Sequence, residues 1–172
     1  VNATRYNTAI GNKSSRLVTS GHSNTSVGDS SLEVNVTGHS NTAVGRNTLA
    51  AVNSGVENTA IGLSSGQRLT GNRNTTFGAY SGENLLAADD NCFIGRNAGK
   101  LATGTLWVCA LGNGALGATL TASYCTAVGS SALALSTADQ NTALGALAGN
   151  SLTTGTNVTC VGYNSQPSSA TA

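Results

Sequence analysis

Large apolar residues return along this chain at a nearly fixed interval, each immediately before a glycine: Ile10, Val27, Val44, Ile61, Phe77, Ile94, Leu111, Val128, Leu144 and Val161. The glycines that follow them are 17 residues apart, shortened to 16 between Gly62 and Gly78 and between Gly129 and Gly145. Two residues before each apolar position stands Thr or Cys (Thr8, Thr25, Thr42, Thr59, Thr75, Cys92, Cys109, Thr126, Thr142, Thr159). Between the two lies a mostly small residue: Ala9, Ser26, Ala43, Ala60, Thr76, Phe93, Ala110, Ala127, Ala143 or Cys160. Alternation at period two over β-branched residues predicts a short strand. Ten such units predict ten coils of a repeat fold.

A column that is large and apolar in every copy reads as the buried one. The pattern therefore assigns the column Ile10 to Val161 to the core. The Thr/Cys column points the same way, and the small residues face out. Six to eight residues after each glycine comes a second apolar position, among them Leu17, Val34, Val52, Leu69, Leu85, Leu101, Leu120, Leu135 and Leu152. Two apolar columns predict a flattened coil with two principal strands. The glycine between them predicts a corner, where φ is positive or a side chain would meet the next coil. The two shortened repeats keep register around the glycine, so the missing residue is expected in the second arc.

Among the polar positions the most regular is the motif asparagine. Asn7, Asn24, Asn41, Asn58, Asn74 and Asn91 run unbroken, and the column fails at Val108, Cys125 and Val158. Stacked amides can hydrogen-bond to one another up such a ladder or close the local turn. The expected fold is all-β, a parallel β-solenoid (β-roll or β-helix) of about ten 17-residue coils. At about 4.8 Å per coil it makes a rod of roughly 50 Å. It spans residues 1–163. Residues 164–172, with the only proline at Pro167, read as a linker or cap.

Composition narrows the partners. The 172 residues carry 9% charged side chains and a net charge of +1, so neither nucleic acid nor an anionic membrane surface is expected. No apolar run approaches the roughly 20 residues that span a bilayer. The chain opens in mid-motif and reads as part of something longer.

Candidate chemistry is sparse. Cys92, Cys109, Cys125 and Cys160 form no CxxC pair and have no histidine at zinc-finger spacing, so no metal site is assigned. They read as small, partly buried residues. Cys92 and Cys109, one coil apart at the same position, are a candidate disulfide on Cα spacing. His22 and His39 also occupy equivalent positions in neighbouring coils; they read as a duplicated surface turn, with a divalent-metal pair as the sharper alternative. Asp89-Asp90 is the only acidic doublet, and adjacent side chains diverge. No catalytic or cofactor-binding constellation is present, and no enzyme is expected. Phe93 and Trp107 interrupt small or polar columns and are candidates for an exposed contact surface, against a neighbouring chain or a glycan. A strip of small outward side chains lets another backbone approach closely, which predicts three chains packed along it.

The pentapeptides NTAIG and NTAVG resemble the repeats in the head domains of trimeric autotransporter adhesins. Residues 58–82 and 141–172 are more similar to the repeat region of tailed-phage fibre proteins that precedes an endosialidase-type intramolecular chaperone. The resemblance covers residues 7–172. It implies a left-handed, homotrimeric roll serving as a stiff fibre segment of an extracellular virion tail, with contact to a cell-surface glycan or protein receptor. The alternative it implies is a bacterial cell-surface adhesin. From another class, the Thr ladder raises an ice-binding solenoid, opposed by the expectation that this ladder faces inward.

Overall fold

The computed structural model describes residues 6–118 and 121–167. It is a β-solenoid whose coils each contribute one three-residue strand. These are β1 (Thr8–Ile10), β2 (Thr25–Val27), β3 (Thr42–Val44), β4 (Thr59–Ile61), β5 (Thr75–Phe77), β6 (Cys92–Ile94), β7 (Cys109–Leu111), β8 (Thr126–Val128), β9 (Thr142–Leu144) and β10 (Thr159–Val161). They form one parallel sheet in sequence order, with each motif position paired to its equivalent in the next coil, as in Thr42↔Thr59, Ala43↔Ala60 and Val44↔Ile61.

The second arc is not a second sheet. It is built of turns, yet its backbone still bonds from coil to coil, as in Leu32 N–H to the Thr48 carbonyl and Val34 N–H to the Ala50 carbonyl, both close to 3 Å. Isolated parallel bridges, Leu86↔Thr103 and Asp89↔Leu106, are as near as it comes to strand pairing. The tight curvature comes from residues in the left-handed region. The residue before the motif asparagine is one in every coil, for example Ser40 (φ 58°), Asp90 (φ 59°) and Gln140 (φ 63°). The motif glycine supplies the corner for two reasons at once. At Gly145 φ is 134°, and a Cβ there would lie 2.5 Å from the carbonyl oxygen of Gly162 directly above.

Strand parity is the reverse of what the apolar column predicts. The middle column is the core: Ser26, Ala43, Ala60, Thr76, Phe93, Ala110, Ala127, Ala143 and Cys160 are buried, and only Ala9 of the first coil is exposed. The column assigned to the core faces outward. Ile10, Phe77, Leu111, Leu144 and Val161 are exposed, and Val27, Val44, Ile61, Ile94 and Val128 are half-buried. The reason is width. A coil of 17 residues encloses a narrow interior, and the space opposite the strand is already filled by Leu32, Leu49, Leu116 and Leu133, four residues after the motif glycine, and by Val52, Leu69, Leu85 and Leu152, seven after it. Small side chains fit between them, and the one large residue of the column, Phe93, occupies the space that Gly99 leaves.

The second apolar column is accordingly narrower than expected. Val52, Leu69, Leu85 and Leu152 are core, whereas Leu17, Leu101 and Leu135 lie one residue earlier and point to solvent, and Val34 is half-buried. Leu120 lies outside the described residues. The shortened repeats lose their residue in this arc, between Leu69 and Gly71 and between Ser136 and Ala138, while the strand register on either side is unbroken.

At the C-terminal end the coil path continues through Asn164 and Ser165, whose partners are the Ala146 carbonyl and the Gly149 N–H. The side chain of Gln166 then stands in for a further coil. Its Oε1 accepts from the Ser151 N–H and hydroxyl, and its Nε2 donates to the Leu147 carbonyl.

Candidate functional site

The surface with the longest continuous order is the outward face of the sheet. It carries two parallel lanes, the Thr/Cys ladder and the Ile/Val/Leu/Phe stripe, running through all ten strands in register. A shape this regular depends on what lies behind it. In the polar spine, Asn41 Oδ1 accepts from both the Asn58 N–H and the Asn58 amide at 3.0 and 3.2 Å, and Asn58 Nδ2 also donates to the Gly71 carbonyl at 2.9 Å. The pattern repeats at Asn24, Asn74 and Asn91, so each buried amide both climbs the ladder and closes its own turn. Asn91 passes a bond to the Val108 N–H, where the column breaks, and Asn141 restores the arrangement two coils later. Asn7, in the first coil, bonds the Asn24 N–H and the Gly21 carbonyl and is only half-buried.

The structure separates the two aromatic candidates. Phe93 is fully buried, a core residue and no contact surface, because its column faces inward. Trp107 is 55% exposed and rests against Tyr124 of the next coil, 52% exposed, with ring centroids 5.1 Å apart and planes tilted by 36°. Both sit at the left-handed corner position before the strand (φ 52° and 58°). One coil apart, they make a tilted aromatic contact and both stay more than half exposed. The small-residue strip expected to receive a neighbouring chain is likewise inside the coil.

All four cysteines are free thiols. Cys92 and Cys109 are paired in register on the outward face. Cys125 takes the place of an asparagine in the spine, with its sulfur near the Ala138 carbonyl and the Asn141 N–H, both at 3.5 Å. Burial pushes the thiols of Cys92, Cys125 and Cys160 above their ordinary range. His22 and His39 lie flat on each other, centroids 4.7 Å apart and planes 2° from parallel, each Nδ1 3.3 Å from the hydroxyl of the following serine. Parallel rings point their nitrogens the same way and do not converge on a cation.

The acidic doublet diverges. Asp89 Oδ1 accepts from the Asn72 backbone and amide, while Asp90 makes a two-pronged ion pair with Arg73 at 2.7 and 2.9 Å. Among the described residues no three His, Cys, Asp or Glu side chains gather in a way that could hold a metal ion, and no helix is long and apolar enough to cross a membrane. No protein-family model, no curated protein and no solved structure matches the chain.

Proposed function

We propose that this chain is a stiff segment of an extracellular fibre, assembled laterally as a homotrimer along the outward sheet face. The observation that carries this reading is the exposed apolar stripe from Ile10 to Val161. Ten large apolar side chains, five exposed and five half-buried, lie along one line, and a contiguous patch of that kind marks an association surface. Its repeat selects the partner. A ladder with one apolar rung per coil is matched rung for rung by another copy of the same ladder, whose axial spacing is identical. Resemblance to phage fibre repeats favours three copies and a viral tail fibre, acting as a spacer with receptor contact; a bacterial surface adhesin is the alternative. Light scattering on the native protein tests it. A mass of three chains is expected, and a monomer at micromolar concentration overturns it.

A second reading gains from the reversed parity. The Thr ladder stands on the outward face, so a flat, regularly spaced Thr-aliphatic surface is available to an ordered water lattice. Ice binding predicts thermal hysteresis from a monomeric rod. Lateral association predicts none, because the same face is covered.

A further inference from the structure

We propose that charged residues at the two ends of the strands pair between laterally packed copies of this chain and hold them parallel and in register. The inference rests on the lateral association proposed above. At one end, just after the motif glycine, stand Arg46 (β3) and Arg96 (β6), with only Leu63 and Ala79 between them. At the other end, just before the motif asparagine, stand Glu57 (β4), Arg73 (β5) and Asp90 (β6). Over these coils one end is positive and the other, with two acids to one base, is negative. Arg46, Arg96 and Glu57 are exposed, and Asp90 is half-buried. Among the described residues Arg46, Arg96 and Glu57 make no ion pair, while Arg16, Arg73 and Lys100 each find a carboxylate in a neighbouring coil.

A closed ring selects the partners. Parallel copies with their sheet faces turned to a common axis set the glycine end of each strand against the asparagine end of the next copy's strand, a heterologous contact. Arg96 then stands level with the neighbour's Asp90, whose carboxylate keeps lone pairs beyond those that Arg73 uses. Arg46 lies one coil from the neighbour's Glu57. That step is within reach, because the in-chain pairs Arg16–Glu33 and Arg73–Asp90 cross it with contacts of 2.8 and 2.7 Å. The apolar stripe alone does not fix the level, since Val27, Val44 and Ile61 replace one another on a slip of one coil. A slip that carries Arg96 one coil towards β5 sets it against the neighbour's Arg73, and a slip repeated at every contact leaves the ring open. Copies running in opposite directions set β3 against β8, whose flanking residues, Tyr124 and Ser130, carry no charge. Charges arranged in this way fix orientation and register more than they add affinity.

The test is a charge-swap cycle on the full chain, Arg46→Glu, Glu57→Arg and the double variant, with native mass followed by light scattering over a dilution series. Each single variant sets like charges together at every contact of the ring. It is expected to raise the concentration of half-dissociation on the order of tenfold at low salt. The double variant restores opposite charges and should return to within about threefold of the parent, because the in-chain effect of each change cancels in the cycle. At about 1 M salt the differences should shrink. A trimer in which the two changes act additively, or in which neither moves the midpoint, overturns the pairing and leaves lateral association standing. A parent chain that is monomeric overturns both.

Discussion

Phe93 fills the space that Gly99, six residues later in the same coil, leaves empty. A Cβ on Gly99 would lie 2.8 Å from Cγ of the ring and closer still to Cδ1 and Cε1. In the two following coils the exchange is reversed, with Ala110 paired to Leu116 and Ala127 to Leu133, every one of them buried. Phe93→Ala is expected to cost about 3–5 kcal/mol through the cavity it opens. Gly99→Leu alone overpacks the coil, at about 1–3 kcal/mol or more. Because Gly99 has φ 57° and Leu116 φ 48°, the backbone already accommodates leucine there. The double variant Phe93→Ala/Gly99→Leu should therefore recover stability relative to the sum of the singles, by about 0.5–3 kcal/mol. Denaturant unfolding of the four chains measures it, and strict additivity would show that the two sites are independent.

The spine makes a different demand, since its groups are polar and buried. Asn58 serves the Asn74 N–H, the Asn74 amide and the Gly71 carbonyl together. Asn58→Ala strands at least two buried backbone groups and should cost about 3 kcal/mol, at roughly 1–3 kcal/mol per orphaned group. Asn7→Ala, half-buried in the first coil, should cost markedly less. Equal losses in thermal unfolding would argue against a cooperative ladder.

Among the glycines, Gly145 combines a close contact with a strained φ, whereas Gly104 has a milder positive φ and no contact. Gly145→Ala meets the Gly162 carbonyl and forces an L residue to φ 134°, so a loss of about 3 kcal/mol or more is expected. Gly104 has φ 63° with no atom within 4 Å of where a Cβ would stand, and Gly104→Ala should cost only about 1 kcal/mol. Similar costs for the two would show that the close approach between coils contributes nothing.

Repeat period, coil number and the position of the shortened arcs are all readable from the spacing of the glycines, because a glycine under a neighbouring carbonyl admits no substitute. Strand parity is not readable from the same columns. Both faces of the strand are uniform, one through Ile10 to Val161 and the other through Ala43, Ala60 and Ala127, and uniformity alone does not say which is inside. What distinguishes them is the compensation between Phe93 and Gly99, a long-range size exchange visible only once the coil is closed. Core residues at left-handed backbone, such as Leu32 (φ 49°) and Leu49 (φ 47°), are equally opaque in sequence, since leucine signals nothing about positive φ. The candidate surface was hidden for the same reason. Burial assigned to the stripe removed it from the exterior.

Part of the acid sensitivity is expected at the Arg73–Asp90 pair. Its hydrogen bond to the Arg73 guanidinium, with the attraction of that charge, holds the Asp90 carboxyl below the usual aspartate range. A lowered carboxyl pKa stabilises the folded state above the unfolded value, and the contribution disappears as pH falls through the folded one. The pair is solvent-exposed, so the effect is small and fades with salt. Thermal unfolding of the parent and of Arg73→Gln should differ near neutral pH and converge below the ordinary aspartate pKa. A difference that persists in strong acid would assign the role of Arg73 to packing and not to charge.

Ala110 and Leu111 are neighbours in β7 and face opposite ways, which lets one pair of variants test both parity and assembly. Ala110 is fully buried, whereas Leu111 is 45% exposed in the stripe. Ala110→Glu places a charge in a core with no partner for it and should abolish folding, visible as loss of the β signal in circular dichroism. Leu111→Glu leaves the interior untouched, so the coil should keep its signal and its monomer stability within about 0.5 kcal/mol. Its effect should fall on association. Copies packed along the stripe would have to bury several like charges at one level of the fibre, and the native mass should drop from three chains to one. A Leu111→Glu protein that remains trimeric would place the contact elsewhere on the rod, and one that unfolds would return the stripe to the core.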